Sequence, residues 1–403
     1  FDENVAKPID RLSAKLRLGA HSGVKTTLDT DDARYLGDLA PAAQALAMTA
    51  DASVTQMATR VAHETERLKV ETERLTAVLT EAPVATILLN TALEIVLYDT
   101  QAADVMSGIA LPRLRAPIGD YFDMGNLIEA LRRLDETAGE VPVKLRDTSG
   151  SQFFDARIKA LSNDGFMIFI DAEAASQNRV EPRPLAFDFG LMNTAKTADI
   201  KDSLLRDLCF VVFDTETTGL SVEKDAIVQI GAVRVLNGRI VGGEVFDSYV
   251  NPGRPIPASA TRIHHVTDMD VANAPDIGTA GRAFHHFARD AVLVAHNAPF
   301  DIGLLKQHQT EMDVSWSHPV LDTVLLSAVV FGTTEDHSLE ALCTRFSVNL
   351  PDNLRHTALG DARATAEVLV LLLPLLEGKG VRTFGQVIEQ TRRHGRLLQD
   401  LNE

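Results

Sequence analysis

Phe213-Asp214-Thr215-Glu216-Thr217-Thr218-Gly219-Leu220 decides the reading of the C-terminal half of this 403-residue chain. It continues an apolar run, Cys209-Phe210-Val211-Val212-Phe213, whose length and composition predict a buried strand. Side chains at i and i+2 of an extended backbone share a face, so Asp214 and Glu216 project together from the strand's end. Two carboxylates on one face make a hard oxygen site suited to Mg²⁺ or Mn²⁺. Alone, an Asp-x-Glu pair reads as two acids of a strand-end turn. The Thr217-Thr218-Gly219-Leu220 sequel adds a glycine that permits close backbone approach and an apolar side chain where a turn meets solvent.

Working outward, His296-Asn297-Ala298-Pro299-Phe300-Asp301 follows a predicted strand, Ala291–Ala295, and leads into a helix at 300–309. Alone, Asp301 reads as a first-turn helix acid favoured by the dipole, and Phe300 as core. His356 stands five residues before Asp361, separated by Thr357-Ala358-Leu359-Gly360. Asp361 opens an apolar helix over 361–376, where capping is the ordinary role. His356 falls in the preceding loop, and imidazole is the side chain whose charge ordinarily changes between pH 5 and 8. Together Asp214, Glu216, Asp301, His356 and Asp361 supply four carboxylates and one imidazole, enough to hold two divalent cations and activate a water beside them.

The surroundings read as a compact α/β unit. Ala226–Val235 is a second strand, and Asn237-Gly238 is a hairpin turn into a third at Arg239–Val250. Helices are predicted near 277–289, 322–330 and 338–346. The remaining C-terminal histidines are scattered; His285, His286, His308, His318 and His394 read as surface residues.

The formal charge is −17, and residues 201–403 carry 18 Lys+Arg against 26 Asp+Glu. Such an acidic chain is a poor candidate for coating a duplex, which rests on neutralising phosphates. It can still contact a strand end if bound cations supply positive charge. The two cysteines, Cys209 and Cys343, form no CxxC and predict a reducing, cytoplasmic setting. No apolar run reaches the ~20 residues that span a bilayer. The chain begins at Phe1 rather than Met, which is compatible with a longer parent.

Residues 1–80 read as helical. Lys7-Pro8-Ile9-Asp10-Arg11-Leu12 opens a first segment, a connector follows at about 19–37, and Val61, Leu68 and Leu75 recur at seven residues with Leu79 on the adjoining seam. The pattern resembles a HAMP signalling module running into a coiled coil. That resemblance implies a parallel homodimer and a parent tethered to the inner face of a membrane. Over 81–172, two short strands, a helical stretch near 124–134 and a three-stranded meander (141–146, 152–160, 165–170) resemble an α+β PAS domain. Residues 1–208 lack cysteine, which rules out a flavin–cysteine adduct, and no histidine lies between 64 and 263, which argues against a His-ligated haem. The identity of any PAS ligand stays open. Polar, Pro-containing residues 173–199 read as a linker, partly ordered by Phe187 and Phe189, to the domain at 200–403.

Residues from about 205 to 377 resemble the DEDDh 3′–5′ exonucleases, the family of the epsilon proofreading subunit of bacterial DNA polymerase III. Phe213–Leu220 matches the first motif, His296–Asp301 the second, and His356 with Asp361 the third. Asn251-Pro252-Gly253-Arg254-Pro255-Ile256-Pro257 and Leu321-Asp322-Thr323 also look like family segments. The resemblance implies a ribonuclease H-like fold and two cations, Mg²⁺ or Mn²⁺. It makes Asp214, Glu216 and Asp361 ligands of one cation. Asp214 would bridge to the other, with Asp301 assisting through water and His356 as general base. Thr215, Thr217, Gly219, Leu220, Asn297 and Phe300 would contact the nucleotide, Leu220 wedging against a base. His265 departs from the pattern, because relatives usually carry glycine there. DNA and RNA present the same phosphodiester and are not separated by these motifs; a scaffold that binds ends without cutting is the non-enzymatic alternative.

Overall fold

The computed structural model describes residues 84–134, 139–161, 165–171, 185–193, 199–349, 351 and 355–402. The HAMP-like and coiled-coil expectations for 1–80, and the dimer they imply, lie outside the described residues. So does much of the expected linker.

Strand β1 (Val84–Asn90) is flanked by β2 (Ile95–Tyr98) and β5 (Gly165–Asp171), and β4 (Phe153–Leu161) and β3 (Glu140–Arg146) extend the sheet beyond β5. All these pairs are antiparallel. Helices α1 (Thr100–Ser107) and α2 (Met124–Leu134) occupy the connection between β2 and β3. Asp99 caps α1, accepting from the Ala102 amide, which ends β2 sharply. Residues 186–187, inside the expected linker, form a sixth strand, β6 (Ala186–Phe187), against β2.

The second sheet has the order β11-β10-β7-β8-β9. Its centre, β7 (Cys209–Thr217), is antiparallel to β8 (Ile227–Leu236) and parallel to β10 (Val292–Ala295). β8 continues through the Asn237-Gly238 turn into β9 (Arg239–Tyr249), both turn residues having positive φ as a tight hairpin demands. The short edge strand β11 (Val320–Asp322) was not expected from sequence. Side chains alternate across β7: Phe210 and Val212 join one core with Val368, Leu369 and Leu372, while Val211 and Phe213 face the other with Phe284 and Trp316.

In chain order the helices of this half are α3 (Ala258–His264), α4 (Asp268–Val271), α5 (Ile277–Ala288), α6 (Ala298–Gln307) and α7 (Gln309–Met312), then α8 (Thr323–Phe331), α9 (Leu339–Phe346), α10 (Ala358–Gly378) and α11 (Phe384–Arg392). Helix α10 starts three residues earlier than the sequence suggested, because Thr357 is its cap and accepts from the Gly360 amide. Asp361 therefore sits in the first turn. The five histidines expected at the surface, His285, His286, His308, His318 and His394, are all half-buried. Burial pushes the His286 and His318 imidazoles down to about 4. Among the described residues, no helix is long and apolar enough to cross a membrane.

The two sheets belong to one compact unit, Leu79–Glu403. Where they meet, Arg234 of β8 and Glu244 of β9 form an ion pair at 2.8 Å with side chains 2% and 0% exposed. Glu244 Oε1 accepts from the Tyr98 hydroxyl at 3.0 Å and the Leu114 amide at 2.5 Å, and Arg234 donates to the Leu114 carbonyl at 3.1 Å. Arg113, Asp120 and Arg289 make a second charged group across the same seam.

Candidate active site

Asp214 and Glu216 are carried by the end of β7 and Asp361 by the first turn of α10. Each offers a carboxylate oxygen within 4.8 Å of the others. They are the one such metal-competent group among the described residues. Asp301, in the first turn of α6, is 4% exposed. It acts electrostatically on both Asp214 and Glu216 and accepts from the Thr215 hydroxyl at 2.5 Å. His356 stands exposed at φ 56°, and its backbone N–H donates to the Asp361 carboxylate. The structure thus gathers the three strand and helix acids, Asp301 and His356, although the five span almost 150 residues of chain.

Four acids this close destabilise one another's ionised forms. Burial, then Asp301, Glu216 and Asp361, push Asp214 well above the usual carboxylate range. Burial with Asp361 and Asp301 pushes Glu216 up to about 8. Burial likewise raises Asp301 and Asp361. Desolvated carboxylates gathered this closely fit divalent cations, which supply the missing positive charge.

Several residues support the site in ways that the sequence did not specify. Asp322, 4% exposed, caps α8 by accepting from Val324 N at 2.7 Å and also accepts from Ala298 N at 2.6 Å, so it ties down the start of α6. The His296 ring meets the Thr323 hydroxyl at 2.8 Å. His264, at the end of α3, brings Nε2 to within 3.2 Å of the Thr217 carbonyl. Asp225 receives the Thr218 hydroxyl and the Ser221 amide, folding the turn after β7; a Cβ on Gly219 would lie 2.6 Å from its carboxylate. Arg254 donates to the Thr218 hydroxyl at 3.1 Å.

Of the expected nucleotide contacts, Leu220 is 92% exposed and Asn297 is exposed at φ 69°. Phe300 is half-buried against the core. Thr215 and Thr217 are buried with hydroxyls committed to Asp301 and the Gly219 carbonyl, which leaves their backbones to meet a ligand. At His265 the chain is left-handed, φ 62°, closing α3. Glycine adopts that conformation most readily, and here a histidine holds it at the helix end.

Residues 211–369 match the family model described as exonuclease. This part of the chain is an exonuclease domain. Over 221 residues the chain is 53% identical to a DNA polymerase III subunit epsilon-like protein of Rhodobacter capsulatus, covering 55% of this chain and 31% of that protein. It is 38% identical over 178 residues to a PolC-type DNA polymerase III of Caldanaerobacter subterraneus, covering 44% of this chain and 12% of the relative. The chain therefore spans about a third of the first relative's length and about an eighth of the second's. A solved structure of Exonuclease X in complex with 5′ overhanging duplex DNA is 30% identical, covering 45% of this chain and 99% of that one, with a TM-score of 0.37. Exonuclease domains of this type use two divalent cations, Mg²⁺ or Mn²⁺, and the acidic cluster at Asp214 lies within the matched segment.

Proposed function

We propose that this chain is a metal-dependent 3′–5′ exonuclease that hydrolyses nucleic acid, DNA before RNA, to nucleoside 5′-monophosphates, and that its N-terminal half is a dimeric sensory region acting on it. The carrying observation is the convergence of Asp214, Glu216 and Asp361 within 4.8 Å, with Asp301 and His356 beside them. The two relatives named above are described as DNA polymerase III proteins, which supports DNA as substrate. Two strands, two helices and a meander whose last strand returns to β1 support the PAS-like reading of 84–171.

Asp214, Glu216 and Asp361 would hold one cation, and Asp214 would reach the second with Asp301 assisting through water. Two bound cations stabilise the attacking and leaving oxygens of an in-line displacement. His356, exposed at the rim, takes the proton of the attacking water, a role worth typically 10²–10⁴-fold. Thr215 holds the Asp301 carboxylate in place. The Gly219 backbone and Leu220 seat the terminal nucleotide, with Asn297 and Phe300 as further contacts.

The test is digestion of single- and double-stranded DNA and RNA oligomers with Mg²⁺ or Mn²⁺, wild type against Asp214→Ala. Stepwise release of 5′-mononucleotides by the wild type alone is expected. Release from RNA and not DNA would reverse the substrate reading. Binding without release would leave an end-binding scaffold.

A further inference from the structure

The strand register places two residues of β8 directly behind the metal acids: Gly231 pairs with Asp214 and Gln229 with Glu216. Gln229 and Gly231 are two apart and so share a face of β8, the face on which α10 begins. A Cβ added to Gly231 would lie 2.1 Å from Leu359 N and 2.2 Å from the Ala358 carbonyl carbon. Both clashing atoms are helix backbone, which cannot swing aside. Gly231 is not among the positive-φ residues, so the glycine is required for room and not for backbone conformation. Beside it Gln229, 5% exposed, donates Nε2 to Asp247 at 2.8 Å, which orients the amide so that Oε1 faces the Ala358 N–H at 3.4 Å. Ala358 is the first residue of α10, whose amide has no partner within the helix. Three residues on, the same turn carries Asp361, whose own amide bonds the Thr357 carbonyl.

We infer that Gln229 and Gly231 are positioning residues: they seat the first turn of α10 on β8 and thereby set where Asp361 meets Asp214 and Glu216. The inference deepens the exonuclease reading and rests on it for Asp361 being a metal ligand. Neither residue touches substrate or cation. Each acts through the placement of one carboxylate.

The experiment is Mn²⁺ titration of the full chain by calorimetry, with kcat and KM for a single-stranded oligonucleotide measured alongside. The proteins are wild type, Gln229→Leu, Asp361→Asn and the double variant; Gly231→Ala joins them if it folds. Gln229→Leu should weaken Mn²⁺ binding by ~10–100-fold, the usual effect of losing an outer-shell partner, and lower kcat with little change in KM. In the Asp361→Asn background it should cost nothing further, because its effect passes through that carboxylate. Equal losses in both backgrounds, or unchanged Mn²⁺ affinity in Gln229→Leu, would overturn the inference. If the binding cycle holds but the wild type releases no nucleotide, the positioning role stands and the exonuclease reading falls.

Discussion

A carboxyl group that is desolvated beside other acids keeps its proton until a cation takes its place. Glu216, pushed up to about 8, and Asp214, raised with it, therefore stay protonated in the metal-free fold at pH values where the unfolded chain has ionised them. The native state then binds more protons than the unfolded one, so stability falls as pH rises toward 8. Buried histidines act oppositely but lower: His286, His296 and His318 are pushed down to about 4, and their effect ends near 6.5, where the unfolded chain's imidazoles are neutral. Between pH 6.5 and 8 the melting temperature of metal-free protein should fall, and Mn²⁺ should raise it more at pH 8 than at 6.5. Thermal melts at the two values check this. His356→Ala should bind Mn²⁺ as the wild type does yet lose ~10²–10⁴-fold in kcat. The five residues proposed to act could be picked out because motif spacing marks them. The supporting roles of Thr215, His264 and Asp322 were not, since each is defined by a partner far along the chain: Thr215 meets Asp301, and Asp322 meets Ala298.

Helix starts aim the acids. Asp322 caps α8 and holds the first amide of α6, so one side chain orients the element bearing Asp301. Asp322→Ala should cost about 1–2 kcal/mol by chemical denaturation, a capping-sized loss, and should lower nucleotide release as well. Asp322→Asn should keep most of both. The long apolar helix and central strands were readable from run length and alternation. The edge strand Val320–Asp322 was too short to show a period, and α3 opens after Pro257 without a side-chain cap. The early start of α10 had a signal in Thr357, a favoured capping residue overlooked beside Asp361.

At the scale of the molecule, the N-terminal sheet and the exonuclease domain share a seam built on buried charge. Partners of Glu244 and Arg234 lie 146 and 120 residues away, which is why sequence alone read the region as separate domains on a linker. Glu244→Ala strands the Arg234 guanidinium and should destabilise the unit by about 3–5 kcal/mol. Unfolding followed by fluorescence of Trp316, the chain's single tryptophan, should shift accordingly in denaturant. Tyr98→Phe, which removes one hydrogen bond to that carboxylate, should cost about 1 kcal/mol.

The central claim is that Asp214, Glu216, Asp301, His356 and Asp361 form one hydrolytic centre. Its most direct test is time-resolved digestion of a single-stranded oligonucleotide labelled at its 5′ end, with Mn²⁺, by wild type and Asp214→Ala. The account predicts a ladder shortening one nucleotide at a time from the 3′ end with the wild type, and an intact oligonucleotide with the variant. An intact oligonucleotide with both proteins, or the same ladder with both, would contradict it.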